Sequence, residues 1–400
     1  MTALILADDL GVFLPVARSL GRRGVEVHVV PAELDSPGLL SRYVAATHLL
    51  PAYRAAPGAW VEALRGLIER HDFRLVIPCS DDSLRLLDHH SEDLGRERLA
   101  LPNRAAFDAF TDKLETRALA ARLGVPVADG APVEPGEDLE ARLGLPLVLK
   151  PVSSYRVGDL RPKEFARIVR TPPELERWQA SNPAGNWLAE AFVPGEGVGL
   201  SVLARQGEVM LAAQHRRLHT LSETGGSSVR VSEAVDPRLM AAVRSLAGAT
   251  GLHGVAMFEF RMDRASGRYA LIEVNARFWG SLPLAVAAGA DFPAALWDLL
   301  TQGRGTTGAA RPGVVKRNMT GEYERLGEAS AGADGASKVK AVAAALAFLP
   351  GLLSPRRFDS WAADDPAPFL AERRALLGRL AARVGKRTPT GALEAERVTS

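Results

Sequence analysis

Residues 269–275, YALIEVN, form an apolar run with Glu273 in its middle and Asn275 at its end, and Arg277 follows two positions later. Carboxylates and Asn are depleted from strands, so alternate polar positions here point to chemistry. Side chains alternate faces along a strand, which puts Glu273 and Asn275 on one side. The preceding run, VAMFEFRM, carries Glu259. A five-residue turn at 263–267 would pair Met262 with Arg268 and set odd positions opposite odd positions. Glu259 then joins Glu273 and Asn275, provided the register holds. Two facing carboxylates repel unless a cation lies between them. An all-oxygen set suits Mg²⁺, with substrate phosphates filling the remaining positions. The alternative is a solvated hairpin face whose acids pair with Arg261 and Arg268.

Two lysines bear on that choice. Lys113 opens a helix after a turn that Thr111 or Asp112 can cap, with Gly124 closing it. Lys150 ends the buried run LPLVLKP, where an amine without an anionic partner is costly. Each alone reads equally as a structural or surface lysine. Beside an oxygen-rich cation site they make a polyphosphate clamp.

The elements that must position these residues follow in order. Residues 1–100 alternate ALILAD, LPVARSLGRRG, VEVHVV, WVEALRGLIERH and FRLVIPC, a β-α-β-α-β rhythm that implies a parallel sheet with crossover helices. ADDLGVFLP after the first strand lacks the glycine fingerprint of dinucleotide binding, which disfavours an NAD-dependent enzyme. PCSDDSL at 78–84 lies at a strand end, where open sheets bind ligands. Asp81 or Asp82 there is expected to cap a helix starting near Ser83. Further on, residues 186–218 read as a strand, a glycine-rich connection and a hairpin turning at Gln206-Gly207. PRLMAAVRSLAGATGL is a helix. Residues 328–337, EASAGADGAS, have a linker's composition.

The order of these stretches resembles the ATP-grasp superfamily over most of residues 1–325, similar in motif order to biotin carboxylase and D-alanine–D-alanine ligase. The stretches are TDK before a helix, LPLVLKP, LAEAFVPGEGVGLSV, GVAMFEF and LIEVNARFWGS. The resemblance implies an α/β and α+β multidomain chain. A Rossmann-like domain would occupy 1–102, an ATP-grasp domain 103–325 with a lid near 125–190, and a helical extension 326–400. It implies that Lys113 and Lys150 contact ATP phosphates, that Glu190 and the backbone of Ala191, Phe192 and Val193 hold adenine, and that Glu196 reaches the ribose. Glu259, Glu273 and Asn275 would bind two Mg²⁺ ions, with Mn²⁺ as a substitute, and Glu273 would bridge them. Arg277 would face the transferred phosphate or the substrate carboxylate, making Arg277, Lys150 and Glu273 the catalytic set. The implied activity is an ATP-dependent carboxylate–amine ligase working through an acyl phosphate, with an amino acid, small peptide or related metabolite as substrate. A kinase, a thiol ligase and a silent ATP-binding regulator are the rivals. The sequence departs from many family members after Lys150, where VSSYRVGDLRP has one glycine, Gly158; Ser153 and Ser154 would supply the phosphate contacts.

The acceptor site is read from AQHRRLHTLSETGGSSVRVSE, residues 213–233. Its candidates are His215, Arg217, Gly225, Gly226 and Ser227, with Arg217 suited to a carboxylate. An exposed strand end with ordinary basic residues is the alternative.

The 400 residues carry a net charge of +2, so no basic field points to nucleic acid. One cysteine, Cys79, excludes a disulfide framework and fits a cytoplasmic protein; it reads as a small buried residue. The apolar run 341–353 is too short to span a bilayer and reads as a helix on the protein body. Small-molecule carboxylate and amine substrates are the expected partners, and a homodimer is allowed.

Overall fold

The computed structural model describes residues 1–152, 166–182, 186–222, 225–331 and 354–385. Ser153, Ser154 and the run 341–353 lie outside them.

The first sheet is parallel. Its strands are β1 (Thr2–Ala7), β2 (Glu26–Pro31), β3 (Val44–Thr47) and β4 (Leu75–Pro78), in the order β3-β2-β1-β4. Alternation divides β1 between two layers. Ala3, Ile5 and Ala7 pack with the helix Leu10–Arg22, and Leu4 and Leu6 pack with the helix Pro57–His71. The β-α-β-α-β rhythm is therefore present. The additional strand β3, VAAT, pairs in parallel with β2 and is too short and too small in its side chains to stand out in the sequence.

Helix Asp81–His89 follows β4. Its cap is Ser80, not Asp81 or Asp82: the Ser80 hydroxyl accepts from the Ser83 N–H at 3.0 Å in a reciprocal capping box. That leaves both aspartates in the first helical turn. Asp112 caps Lys113–Arg122 as anticipated, accepting from the Leu114 N–H at 2.8 Å.

A small antiparallel sheet comes next, with β5 (Gly130–Pro132), β6 (Leu147–Pro151), β7 (Arg167–Val169) and β8 (Trp187–Ala191) in the order β5-β8-β6-β7. The third sheet holds β9 (Glu196–Arg205), β10 (Glu208–Ser222), β11 (Gly225–Glu233), β12 (Gly254–Met262), β13 (Tyr269–Asn275), β14 (Gly308–Ala309) and β15 (Val315–Arg317). Its order is β13-β12-β9-β10-β11-β15, with β14 on β10. One face, with Val198, Leu200, Val202, Phe258 and Phe260, packs on the helix Pro237–Thr250. Leu203, Leu211, Val255 and Met257 join the core of the first sheet, which includes Trp279 and Trp297.

The register of β12 and β13 corrects the expected turn. Met262 pairs with Tyr269, not Arg268. An unbroken ladder from there would set Glu273 opposite Phe258 and turn its carboxylate toward the core. A β-bulge at Ile272 adds one residue to β13, and Glu259 faces Glu273 while Met257 faces Asn275. Bulges re-aim side chains in this way next to sites.

Candidate functional site

The bulge makes a cross-strand carboxylate pair, and the row continues through the sheet. Glu273 on β13 is opposite Glu259 on β12, which is opposite Gly199 on β9, which is opposite His215 on β10. Gly199 is required by close approach, since a Cβ there would lie 2.2 Å from Cε1 of His215. A Cβ at Gly197 would lie 2.9 Å from Cδ of Arg217. The bare β9 backbone thus lets Arg217 cross the sheet and donate to Glu259. Asn275 Nδ2 donates to Glu273 Oε1 at 3.4 Å. Burial raises the Glu259 carboxyl, Arg217 opposes this, and the facing Glu273 adds to it. A divalent cation between these oxygens would relieve both the burial and the repulsion, so the donor set fits magnesium.

Cations surround the pair. Burial holds the Lys113 amine below the ordinary lysine value, while Glu273 and Asp81 act in the opposite sense. Lys150, at the end of β6, is buried and pairs with Glu190 of β8, which also accepts from Arg117. Arg117 is fixed by the carbonyls of Ala128 and Gly130 at 2.8 and 3.0 Å. One buried carboxylate therefore faces two cations, an arrangement that favours an additional anion nearby.

The connection from β8 to β9 carries the residues expected at adenine. The Ala191 and Phe192 N–H groups donate to the carbonyls of Asp129 and Pro146, at 2.7 and 3.3 Å. The Val193 carbonyl accepts from Arg261 at 3.2 Å. Glu196 is held by Arg264 at 2.6 Å on the surface.

Arg277 is half-buried and forked. Its Nε and Nη2 donate to the two oxygens of Asp81 at 2.7 Å each, Nη2 also reaches Asn275 Oδ1 at 2.9 Å, and Nη1 reaches the Phe278 carbonyl at 2.7 Å. Asp81 opens the helix that follows β4 of the first sheet. Asp8 and Asp9 follow β1, and burial raises the Asp8 carboxyl. Cys79 is fully enclosed there, its thiol pushed up by burial with Asp8 and Asp9 beside it, as a structural residue would be.

The acceptor candidates separate. Residues 213–222 and 225–233 belong to two long paired strands, β10 and β11, with Leu218 and Thr220 exposed near the end of β10. Gly225 pairs with Ser222 next to Gly226, whose φ is +71°, and the Ser227 hydroxyl donates to the His219 carbonyl at 3.0 Å. Arg217 reaches the carboxylate pair. His215 does not belong to the accessible set. It is 6% exposed, with Ser281 Oγ 3.4 Å from Nδ1.

Burial, with Arg217 and Arg230 beside it, pushes the His215 imidazole down to about 3. The unfolded chain takes up this proton near 6.5, so between 6.5 and 3 the unfolded state binds more protons. Stability is full above 6.5 and falls with acidification by up to about 1.4 kcal/mol per pH unit. His215→Gln is expected to flatten that slope in thermal unfolding from pH 7 to 4.5; an unchanged slope would reject a neutral buried ring.

Asp81, Arg117 and Arg230 were not legible as site residues. Asp81 resembled a cap, and neither Arg117 nor Arg230 stood out in the sequence. The only available signal for Asp81 was its place at a parallel-strand end.

Residues 184–322 match a family described as "ATP-grasp in the biosynthetic pathway with Ter operon". No curated protein matches the chain. Among solved structures, the L-amino acid ligase from Bacillus licheniformis is 20% identical with a TM-score of 0.57, over 75% of this chain and 74% of that one. An ADP complex of purK, N5-carboxyaminoimidazole ribonucleotide synthetase, is 18% identical with a TM-score of 0.61, over 82% and 83%. The biotin carboxylase domain of a Hydrogenobacter thermophilus 2-oxoglutarate carboxylase, in complex with MgADP, ADP and bicarbonate, is 15% identical with a TM-score of 0.61, over 78% and 73%. At these identities the likeness establishes the fold.

Proposed function

The chain has the ATP-grasp fold, and from that premise we propose that it is an ATP-dependent carboxylate–amine ligase releasing ADP and phosphate. The carrying observation is the Glu259–Glu273 pair with Lys113 and Arg277 near enough to act on Glu273, and Lys150 near enough to act on Lys113. The matched family's description, which names a biosynthetic pathway, supports a small-molecule product.

In this reading Glu259, Glu273 and Asn275 hold Mg²⁺, which when bound neutralises charge on the phosphate oxygens. Lys113 and Lys150 hold the phosphates in line. The side chain of Glu190 is occupied by Lys150 and Arg117, so it orients Lys150, and adenine is left to the backbone at 191–193, with Glu196 toward the ribose. The substrate carboxylate takes the γ-phosphoryl, giving ADP and an acyl phosphate. Arg277 aligns the reacting oxygens. The amine then attacks the carbonyl carbon, the C–O bond to phosphate breaks, and the amine loses a proton. These residues supply alignment and charge neutralisation, which dominate such transfers. Arg217 is the residue proposed for the substrate carboxylate, exchanging Glu259 for it.

ADP release across pairs of amino acids and small peptides, with mass analysis of products, tests the proposal. An amide formed in step with ADP is expected. A stable phosphorylated product, or ATP binding without turnover on any pair, would reject it.

A further inference from the structure

Three histidines distant in sequence meet on the helix Pro57–His71 side of the first sheet, away from the carboxylate pair. His28 lies on β2, His48 directly follows β3, and His71 ends the helix. One ring nitrogen from each lies within 4.8 Å of the others. The ring centroids are 4.9 to 5.0 Å apart, and Phe73 closes the cluster from within, 5.1 Å from His28 and 5.4 Å from His71. The backbone under His71 is fixed, its carbonyl accepting from the Thr2 hydroxyl at 3.1 Å.

A second observation sets the tautomer. His28 Nε2 is 2.9 Å from Glu26 Oε1. An ionised carboxylate only accepts, so Nε2 carries the proton and Nδ1 is left with its lone pair. That nitrogen faces His48 Nε2 at 2.8 Å. Carboxylates orient metal-ligating histidines in this manner.

We propose that His28, His48 and His71 form a binding site for a Zn²⁺-class ion, with Glu26 orienting His28 and water completing the tetrahedron. Zinc–nitrogen bonds near 2.0–2.1 Å place tetrahedral nitrogens about 3.3 Å apart. The His28–His48 pair must open by about 0.5 Å and His71 must close by at most about 1.5 Å to meet that spacing. His48 turns its lone pair from Nδ1 to Nε2 by exchanging a proton through solvent. Imidazole ligands select Zn²⁺ over Mg²⁺, which prefers oxygen. The ion would tie the end of the helix to β2 and β3, at the edge of the first sheet.

The test is calorimetric titration of the full chain with Zn²⁺ in Mg²⁺-free buffer, paired with Co²⁺ absorption as a report of tetrahedral nitrogen ligation. One ion per chain is expected, with a rise of several degrees in the unfolding temperature. Glu26→Gln should weaken uptake about 10–100-fold. His48→Ala and His71→Gln should weaken it further and remove the thermal shift, with circular dichroism confirming that each is folded. Glu273→Gln should bind Zn²⁺ as the wild type does. Absence of uptake, uptake indifferent to His48→Ala and His71→Gln, or uptake lost in Glu273→Gln would each overturn the site.

Discussion

Glu273→Gln is expected to reduce ADP release at least about 100-fold and to weaken Mg²⁺-dependent ATP binding. Glutamine keeps the size of the side chain and an oxygen for the Asn275 amide, which donates at 3.4 Å. It removes the charge that faces Glu259 across the ladder and that acts on Lys113. The fold should be unaffected, so unfolding should move by no more than a few degrees while turnover is lost. The loss should not be rescued by raising the ATP concentration, because the missing charge is needed to neutralise the transfer rather than only to bind. Full activity in this variant would sink the cation assignment.

Asp81→Ala should lower kcat by up to about 100-fold with a smaller change in KM. Asp81 acts as a positioning residue through the two-pronged bond to Arg277, and its charge also acts on Lys113. Without it Arg277 keeps its bonds to Asn275 and the Phe278 carbonyl but loses the constraint on its fork. A guanidinium displaced by an ångström no longer aligns the reacting oxygens. Asp81→Asn, which retains one acceptor, should fall between wild type and alanine. An equal loss in both variants, or a change in KM alone, would remove the positioning role.

The sequence made the anchoring elements readable because each has a local cause. Asp112 can accept from the first N–H groups of the helix it precedes, Gln206-Gly207 adopts positive φ, and the parallel sheet follows from alternating periods. Lys150 was placed correctly at a buried strand end because a buried amine demands an anion, but its partner Glu190 is 40 residues away and nothing local names it. Asp81 and Arg277 are separated by nearly half the chain. Their pairing depends on how two sheets pack. That Glu259 shares a face with Glu273 and Asn275 was legible in the sequence, yet from the wrong turn, and their direct pairing was not, since it is the bulge at Ile272 that restores the face the longer turn would have lost and sets Glu259 opposite Glu273. His215 failed as a substrate candidate because residue type says nothing about the glycine opposite it, which seats the ring inside the sheet.

That bulge also sets where this hairpin tolerates change. Ala265, Ser266 and Arg268 are exposed and outside the ladder, so an inserted peptide or label there leaves the facing acids where they are. One residue added between Val274 and Asn275 would instead rotate Asn275 to the opposite side of the sheet while Glu273 stayed in place. The hairpin therefore offers a permissive tip and an intolerant base within a few residues of each other, a division useful for attaching a reporter without touching the chemistry.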